Sequence, residues 1–121
     1  MIEIRKVLHP YLLALHSRVY FQRAPDTAQM PYLTYTFANI RGEGEGRQIL
    51  TLDIDGWDNK EDSTGLENLM SGIEAGLDRH VLAGTGIVAA FYLENKMPVL
   101  EDDRKIQRRR YIFQGRIYKR S

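Results

Sequence analysis

A chain of 121 residues, 43% hydrophobic and 27% charged, has the length for one hydrophobic core and not for two, so residues 1–121 read as a single domain. No apolar run reaches the roughly 18 residues needed to cross a bilayer, so no membrane partner is expected. The absence of cysteine excludes disulfides and thiolate metal sites and points to an intracellular life.

The opening "MIEIRKVLHPYLLALHS" lacks a small-residue cleavage site and is interrupted by charge, so it does not read as a signal peptide. Ile4, Val7, Leu8, Tyr11, Leu12 and Leu15 recur at helical spacing and predict an amphipathic helix over residues 2–16. Pro10 should kink it or delay its start to about His9, because proline inside a helix costs about 3 kcal/mol. "RVYF" reads as a short strand and "RAPDTAQM" as a loop. Residues 31–40, "PYLTYTFANI", alternate with Leu33, Tyr35 and Phe37 on one face. "RGEGEGR" reads as a turn or flexible tip, since three glycines and two glutamates give a packed strand little to hold.

"QILTLDIDGWD" carries the clearest strand pattern. Leu50, Leu52 and Ile54 point one way; Thr51, Asp53, Asp55 and Trp57 point the other. After the turn "NKEDS", Thr64 and Glu67 have capping-box spacing. Leu66, Leu69, Met70, Ile73 and Leu77 mark a helix running to about His80. Gly72 and Gly76 weaken it by about 1 kcal/mol each, tolerable where a helix lies close on a sheet. Gly84 and Gly86 end it, "IVAAFYL" is a strand, and "NKMPVLEDD" leads to the last segment.

That segment conceals a charge split under the net +1. Arg104–Ser121 hold eight basic side chains and no acidic one, while the remainder holds 9 Lys/Arg against 16 Asp/Glu. A disordered basic arm has no reason to alternate. Here Tyr111, Phe113 and Ile117 share one face, and Arg108, Arg110, Gln114, Arg116 and Arg120 share the other with Ile112 and Tyr118. The terminus is therefore a strand with one buried and one basic face.

The expected architecture is α+β, a two-layer sandwich in which a mainly antiparallel sheet packs two helices on one face. The opposite face then carries Asp53, Asp55 and Trp57 on one strand and Arg108, Arg110, Arg116 and Tyr118 on another. If these strands are neighbours, the charges pair across the sheet at about 0.2 to 1 kcal/mol each and mean little beyond solubility. If they lie apart, the acidic strand of one copy suits the basic strand of the next, and the contact can close a ring. Exposed aromatics beside arginine favour a contact surface.

Catalytic chemistry finds little support, and no enzyme is expected. Asp53 and Asp55 resemble half of a two-metal site, with no motif supplying the other half. His9, His16 and His80 lack zinc-ligand spacing. There is no G-x-S-x-G, and "GEGEG" has the glycines of a phosphate loop without its lysine. No metal or cofactor is expected. A nucleic-acid-binding domain is the alternative from another class, with the basic strand on phosphates and Tyr118 or Trp57 stacking on bases; Asp53 and Asp55 on the same face oppose it.

The order of an N-terminal helix, "RVYFQRAPDTAQMPYLTYTF", "LDIDGWDN", "STGLENLMSGIEAGL" and a late basic strand resembles the tail-completion and tail-terminator proteins of long-tailed bacteriophages and prophages. The resemblance spans nearly the whole chain. It implies an α/β sandwich forming a homo-oligomeric ring of six, without catalysis, that caps the tail tube and joins it to the head connector. The implied partners are further copies of the chain, the tail-tube protein and the connector protein, with DNA only as passing cargo. The implied location is the virion neck, with assembly in the host cytoplasm. The loop Arg41 to Arg47 would face the tube, the connector or the lumen, where Glu43 and Glu45 would repel DNA and let it slide. A sibling role as another neck or minor tail component shares these features.

Overall fold

The computed structural model describes residues 2–120. Helix α1 (Ile2–Leu15) continues through Pro10 without a break, against the expected kink or late start. Ile4, Leu8 and Leu12 are fully buried along one stripe. At about 2 kcal/mol for each buried side chain, their burial outweighs the roughly 3 kcal/mol cost of the proline, whose ring lies on the solvent side.

The remaining elements are β1 (Val19–Phe21), β2 (Tyr32–Gly44), β3 (Arg47–Asp58), α2 (Thr64–Leu77), β4 (His80–Gly84), β5 (Ile87–Pro98) and β6 (Gln107–Lys119). They form one six-stranded sheet in the order β1-β2-β3-β6-β5-β4. The sheet is mixed: β1 runs parallel to β2, and the other four pairings are antiparallel. The α+β class holds, with β1 as the departure from antiparallel order.

The helices bury the alternating apolar rows that the sequence marks. Leu50, Leu52, Ile54, Phe113 and Ile117 join Leu8, Leu12, Leu66, Met70, Ile73 and Leu77 in one core. Gly56 on β3 is what lets α2 approach, because a Cβ there would stand 2.5 Å from Met70 Sδ. Gly76 serves the other helix: Leu15 packs over it, and the Tyr11 hydroxyl donates to its carbonyl. Gly72 faces open space, so the expectation that both glycines ease a helix onto the sheet holds for neither.

Three further expectations need correction. "RGEGEGR" does hold a turn, as one expected alternative had it, but strand pairing runs up to Gly44 and resumes at Arg47, leaving only Glu45 and Gly46 in the turn. Both have positive φ, as a two-residue hairpin turn requires. A side chain at position 46 would meet the Lys119 carbonyl at 2.5 Å, so glycine there is sterically required. The second correction is α2, which stops at Leu77, after which β4 forms a strand that its short "HVLAG" sequence conceals. The third is the capping box, which does not form: Ser63 is the N-cap without a side-chain bond. Asp62 instead accepts from the Thr64 N–H at 2.9 Å and hydroxyl at 2.6 Å, which holds its carboxyl below the usual range. Glu67 is free to reach across to Arg109 on β6.

Candidate functional site

Side chains alternate along each strand, so the face away from the helices collects every second residue of the central strands. Its register answers the question posed by the charges. β3 and β6 are neighbours, with Asp55 opposite Arg110, Trp57 opposite Arg108 and Asp53 opposite Ile112. The acidic and basic strands therefore meet within one copy.

The pairing is tighter than a solvated surface set. Arg110 Nε donates to Asp55 Oδ1 at 2.9 Å and its Nη2 to Oδ2 at 3.0 Å. Arg108 Nε reaches Oδ2 at 2.9 Å, and its Nη1 donates to Glu101 at 2.6 Å. Asp55 is only 5% exposed. The Arg108 guanidinium lies 4.2 Å over the Trp57 ring, Trp57 Nε1 donates to Thr34 Oγ1 at 3.0 Å, and the Tyr32 ring stacks on Trp57. The charges do pair across the sheet, as expected for neighbouring strands; because Asp55 is buried, losing a partner is costly here. The hydrogen bond from Arg110 to Asp55 raises the arginine's already high pKa. Among the described residues Asp53 has no such partner at hydrogen-bond distance: burial pushes its carboxyl up, Arg110 pulls it down, and Asp55 pushes it up again.

Arg116 and Tyr118 lie on the same face at the other end of β6, six and eight residues beyond Arg110, or roughly 20 to 26 Å by strand rise. That end is open. Arg116 bonds Gln114 at 3.0 Å and sits 5.3 Å over the Tyr92 ring, while Arg47 sits 5.5 Å over Tyr118. Tyr118 is 50% exposed and Val81 64% exposed. The register places Arg41, Ile49, Arg116, Ala90 and Val81 in one row, and Arg47, Tyr118, Val88 and Ala83 in the next. Sequence reasoning missed Val81 and Tyr92 as members of this surface. Tyr92 was detectable from the alternation of "IVAAFYL"; Val81 was not, because its strand was not recognised.

The seven face residues thus divide into two groups. Asp55, Trp57, Arg108 and Arg110, with Asp53 beside them, form an internal network at one end; Arg116 and Tyr118 belong to an open aromatic and guanidinium surface at the other. Arg41, Glu43, Glu45 and Arg47 do come together at the hairpin tip, where Arg47 pairs with Glu45 at 3.2 Å and Arg41 with Glu43 at 3.9 Å. The tip's acids thus carry their own counter-charges.

The network also bears on the other chemistries. Asp55 is occupied by guanidiniums, and among the described residues no group of three or more His, Asp or Glu side chains is placed to hold a metal ion. His9 bonds the Tyr35 hydroxyl, His16 the Pro31 carbonyl and His80 the Asp78 carbonyl, three separate structural tasks. Arg108 and Arg110 are committed to carboxylates, and the Trp57 ring already carries the Arg108 guanidinium and the stacked Tyr32 ring, which counts against their contacting a phosphate or a base. No helix among the described residues is long and apolar enough to cross a membrane.

The sequence matches no protein-family model and no curated protein. The fold does have a solved counterpart. A chain in the structure of the virion of a native gene transfer agent particle superposes with a TM-score of 0.78 at 13% sequence identity, over 94% of this chain and 93% of that one.

Proposed function

We propose that the chain is a structural protein of a phage-like particle, which caps the tail tube as a homo-oligomeric ring of six and joins it to the head connector. One observation carries the reading: the fold likeness to a virion chain extends over nearly all of both chains. A common motif set in a larger, different protein would match only a part. The order of motifs from "RVYFQRAPDTAQMPYLTYTF" to the basic strand adds the more specific role within the particle.

The mechanism is one of surfaces rather than bonds made and broken. A ring seated on the last tube ring covers the surface on which further tube subunits add, and presents a different surface to the connector. Such a ring needs two unlike patches on each subunit. The open end of the sheet, with Arg116 and Tyr118 beside Tyr92 and Val81, supplies one. The network of Asp53, Asp55, Trp57, Arg108 and Arg110 keeps the other end of the sheet rigid. The hairpin tip with Arg41, Glu43, Glu45 and Arg47 meets the tube, the connector or the lumen through which DNA passes. The protein acts in the virion neck after assembly in the host cytoplasm.

Deleting the gene from its phage or prophage tests this. Tails of uncontrolled length beside unattached, filled heads are the expected result. Tails of normal length that fail to join heads would indicate a sibling neck role, and intact particles would overturn the reading. In solution, light scattering coupled to size-exclusion chromatography should show a ring-sized species that Tyr118→Asp and Arg116→Glu dissociate.

A further inference from the structure

The loop between β5 and β6, residues 99–106, has two unlike halves. The second folds on itself: the Asp103 carboxylate accepts from the Lys105 N–H at 2.9 Å, and the Asp103 carbonyl from the Ile106 N–H at 3.0 Å. Its charges balance, Asp102 and Asp103 against Arg104 and Lys105, and all four side chains are exposed. The first half begins where the Val99 N–H extends the ladder to the Arg108 carbonyl at 3.1 Å. From Leu100 to Lys105, one ion pair among the described residues reaches outside the loop: Arg108 Nη1 donates to Glu101 Oε1 at 2.6 Å. Leu100 adds no packing, since it is 97% exposed.

Glu101 lies at the aromatic end of the outer face. Burial raises the pKa of the Tyr32 hydroxyl, Arg108 lowers it and Glu101 raises it again, so both charges stand near that ring. The same Arg108 guanidinium lies 4.2 Å over Trp57. Arg108 is thus held from two sides, by Asp55 of the sheet through Nε and Nη2 and by Glu101 of the loop through Nη1. The two bonds differ in what their loss costs. Without Asp55 the guanidinium loses its buried counter-charge. Without Glu101 it keeps that partner, and the glutamate, already 25% exposed, moves out into water.

We propose that residues 99–106 form a strap that Glu101 latches onto Arg108, and that the strap opens locally while the Asp55 network stays intact. Closed, Glu101 fills the edge of the Arg108 guanidinium that Asp55 leaves free. It thereby withholds an arginine set beside aromatic rings, a combination common at the anchors of contact surfaces. The strap is an autoinhibitory contact. It belongs to the single copy and stands apart from the ring reading. A loop held by one such bond opens at a small fraction of the cost of global unfolding.

Trypsin reads the opening, because Arg104 and Lys105 are its cleavage points within the strap. Cleavage of a rapidly opening segment follows the population of its open form. Glu101→Gln should be cut there several-fold faster than wild type at a nearly unchanged melting temperature. Cleavage after Arg23, in another exposed loop, is the internal reference. Asp102→Asn removes an equal charge closer to the cut without touching the latch, and should be cut at the wild-type rate. Trp57 is the single tryptophan, so its quenching by acrylamide, an uncharged probe, should rise in Glu101→Gln alone. Equal cleavage rates for the two variants, or unchanged quenching, overturn the latch. A lowered melting temperature with faster cutting after Arg23 also overturns it, because the bond then holds the whole fold.

Discussion

Arg110 stands directly opposite Asp55 on adjacent strands, and Arg108, two residues along on the same face, reaches the same carboxylate. One largely buried acid thus organises two guanidiniums. The arrangement makes Asp55 the residue whose loss should be felt most on this face, because its removal leaves two partly buried positive charges facing each other.

Asp55→Ala is expected to destabilise the fold by about 3 kcal/mol or more, the range for breaking a buried ion pair. Urea denaturation measures it. The Asp55→Ala and Arg110→Ala double-mutant cycle should return a coupling of about 1 to 3 kcal/mol. A coupling near zero would mean that water reaches the pair.

Asp53 gives the opposite sign. Its folded pKa is raised by burial above the unfolded value, so the folded state holds the proton more tightly. Stability therefore falls as pH rises from the unfolded pKa of about 4 through the folded one, and the loss is complete above it. Asp53→Asn should remove that cost, raising the melting temperature at pH 7 relative to wild type and flattening the acid side of the stability profile. A variant with lower stability at pH 7 and an unchanged profile would contradict this.

Two glycines predict opposite outcomes for the same substitution. Gly115→Ala places a Cβ 2.8 Å from Leu50 Cδ1 and 2.9 Å from Phe91 Cε1. Overpacking of this kind costs about 1 to 3 kcal/mol. Gly72→Ala, inside α2 and facing open space, should gain about 0.5 to 1 kcal/mol from helix propensity. Thermal denaturation of the two variants side by side is the check.

Pro10→Ala restores an amide to the interior of α1 at a solvent-facing position. A gain of about 1 to 3 kcal/mol is expected by urea denaturation. No change would indicate that the proline costs the helix nothing in this setting.

The parts legible in the sequence were those with a local period. Leu50, Leu52 and Ile54, and likewise Tyr111, Phe113 and Ile117, declared their buried face within a few residues. The neighbour relation between their strands did not, because Asp55 and Arg110 are 55 positions apart and either strand order fits the same alternation. The hairpin misled for a different reason. Glycine and glutamate weaken a strand by propensity, yet this one is held by the backbone ladder to β3, and by the bond from the Lys119 N–H to the Gly46 carbonyl at 2.9 Å. β4 offers only Val81 and Leu82 as apolar cues, too few to separate a strand from a helix end. The Thr64 and Glu67 spacing suggested a cap, but Arg109 on a distant strand competes for the glutamate.

The strand β1 pairs with β2 only along Leu33–Tyr35, so the rest of that long strand, Thr36 to Gly44, has no outer neighbour among the described residues. An open edge of that length is a template for endless strand addition. Both register shifts of β2, at Phe37/Asn39 and Gly42/Gly44, fall within this run. Extra residues at those points interrupt the even spacing of donors and acceptors that an incoming strand would need. The bulged backbone of this edge thereby guards against fibre growth and leaves association to side-chain surfaces elsewhere.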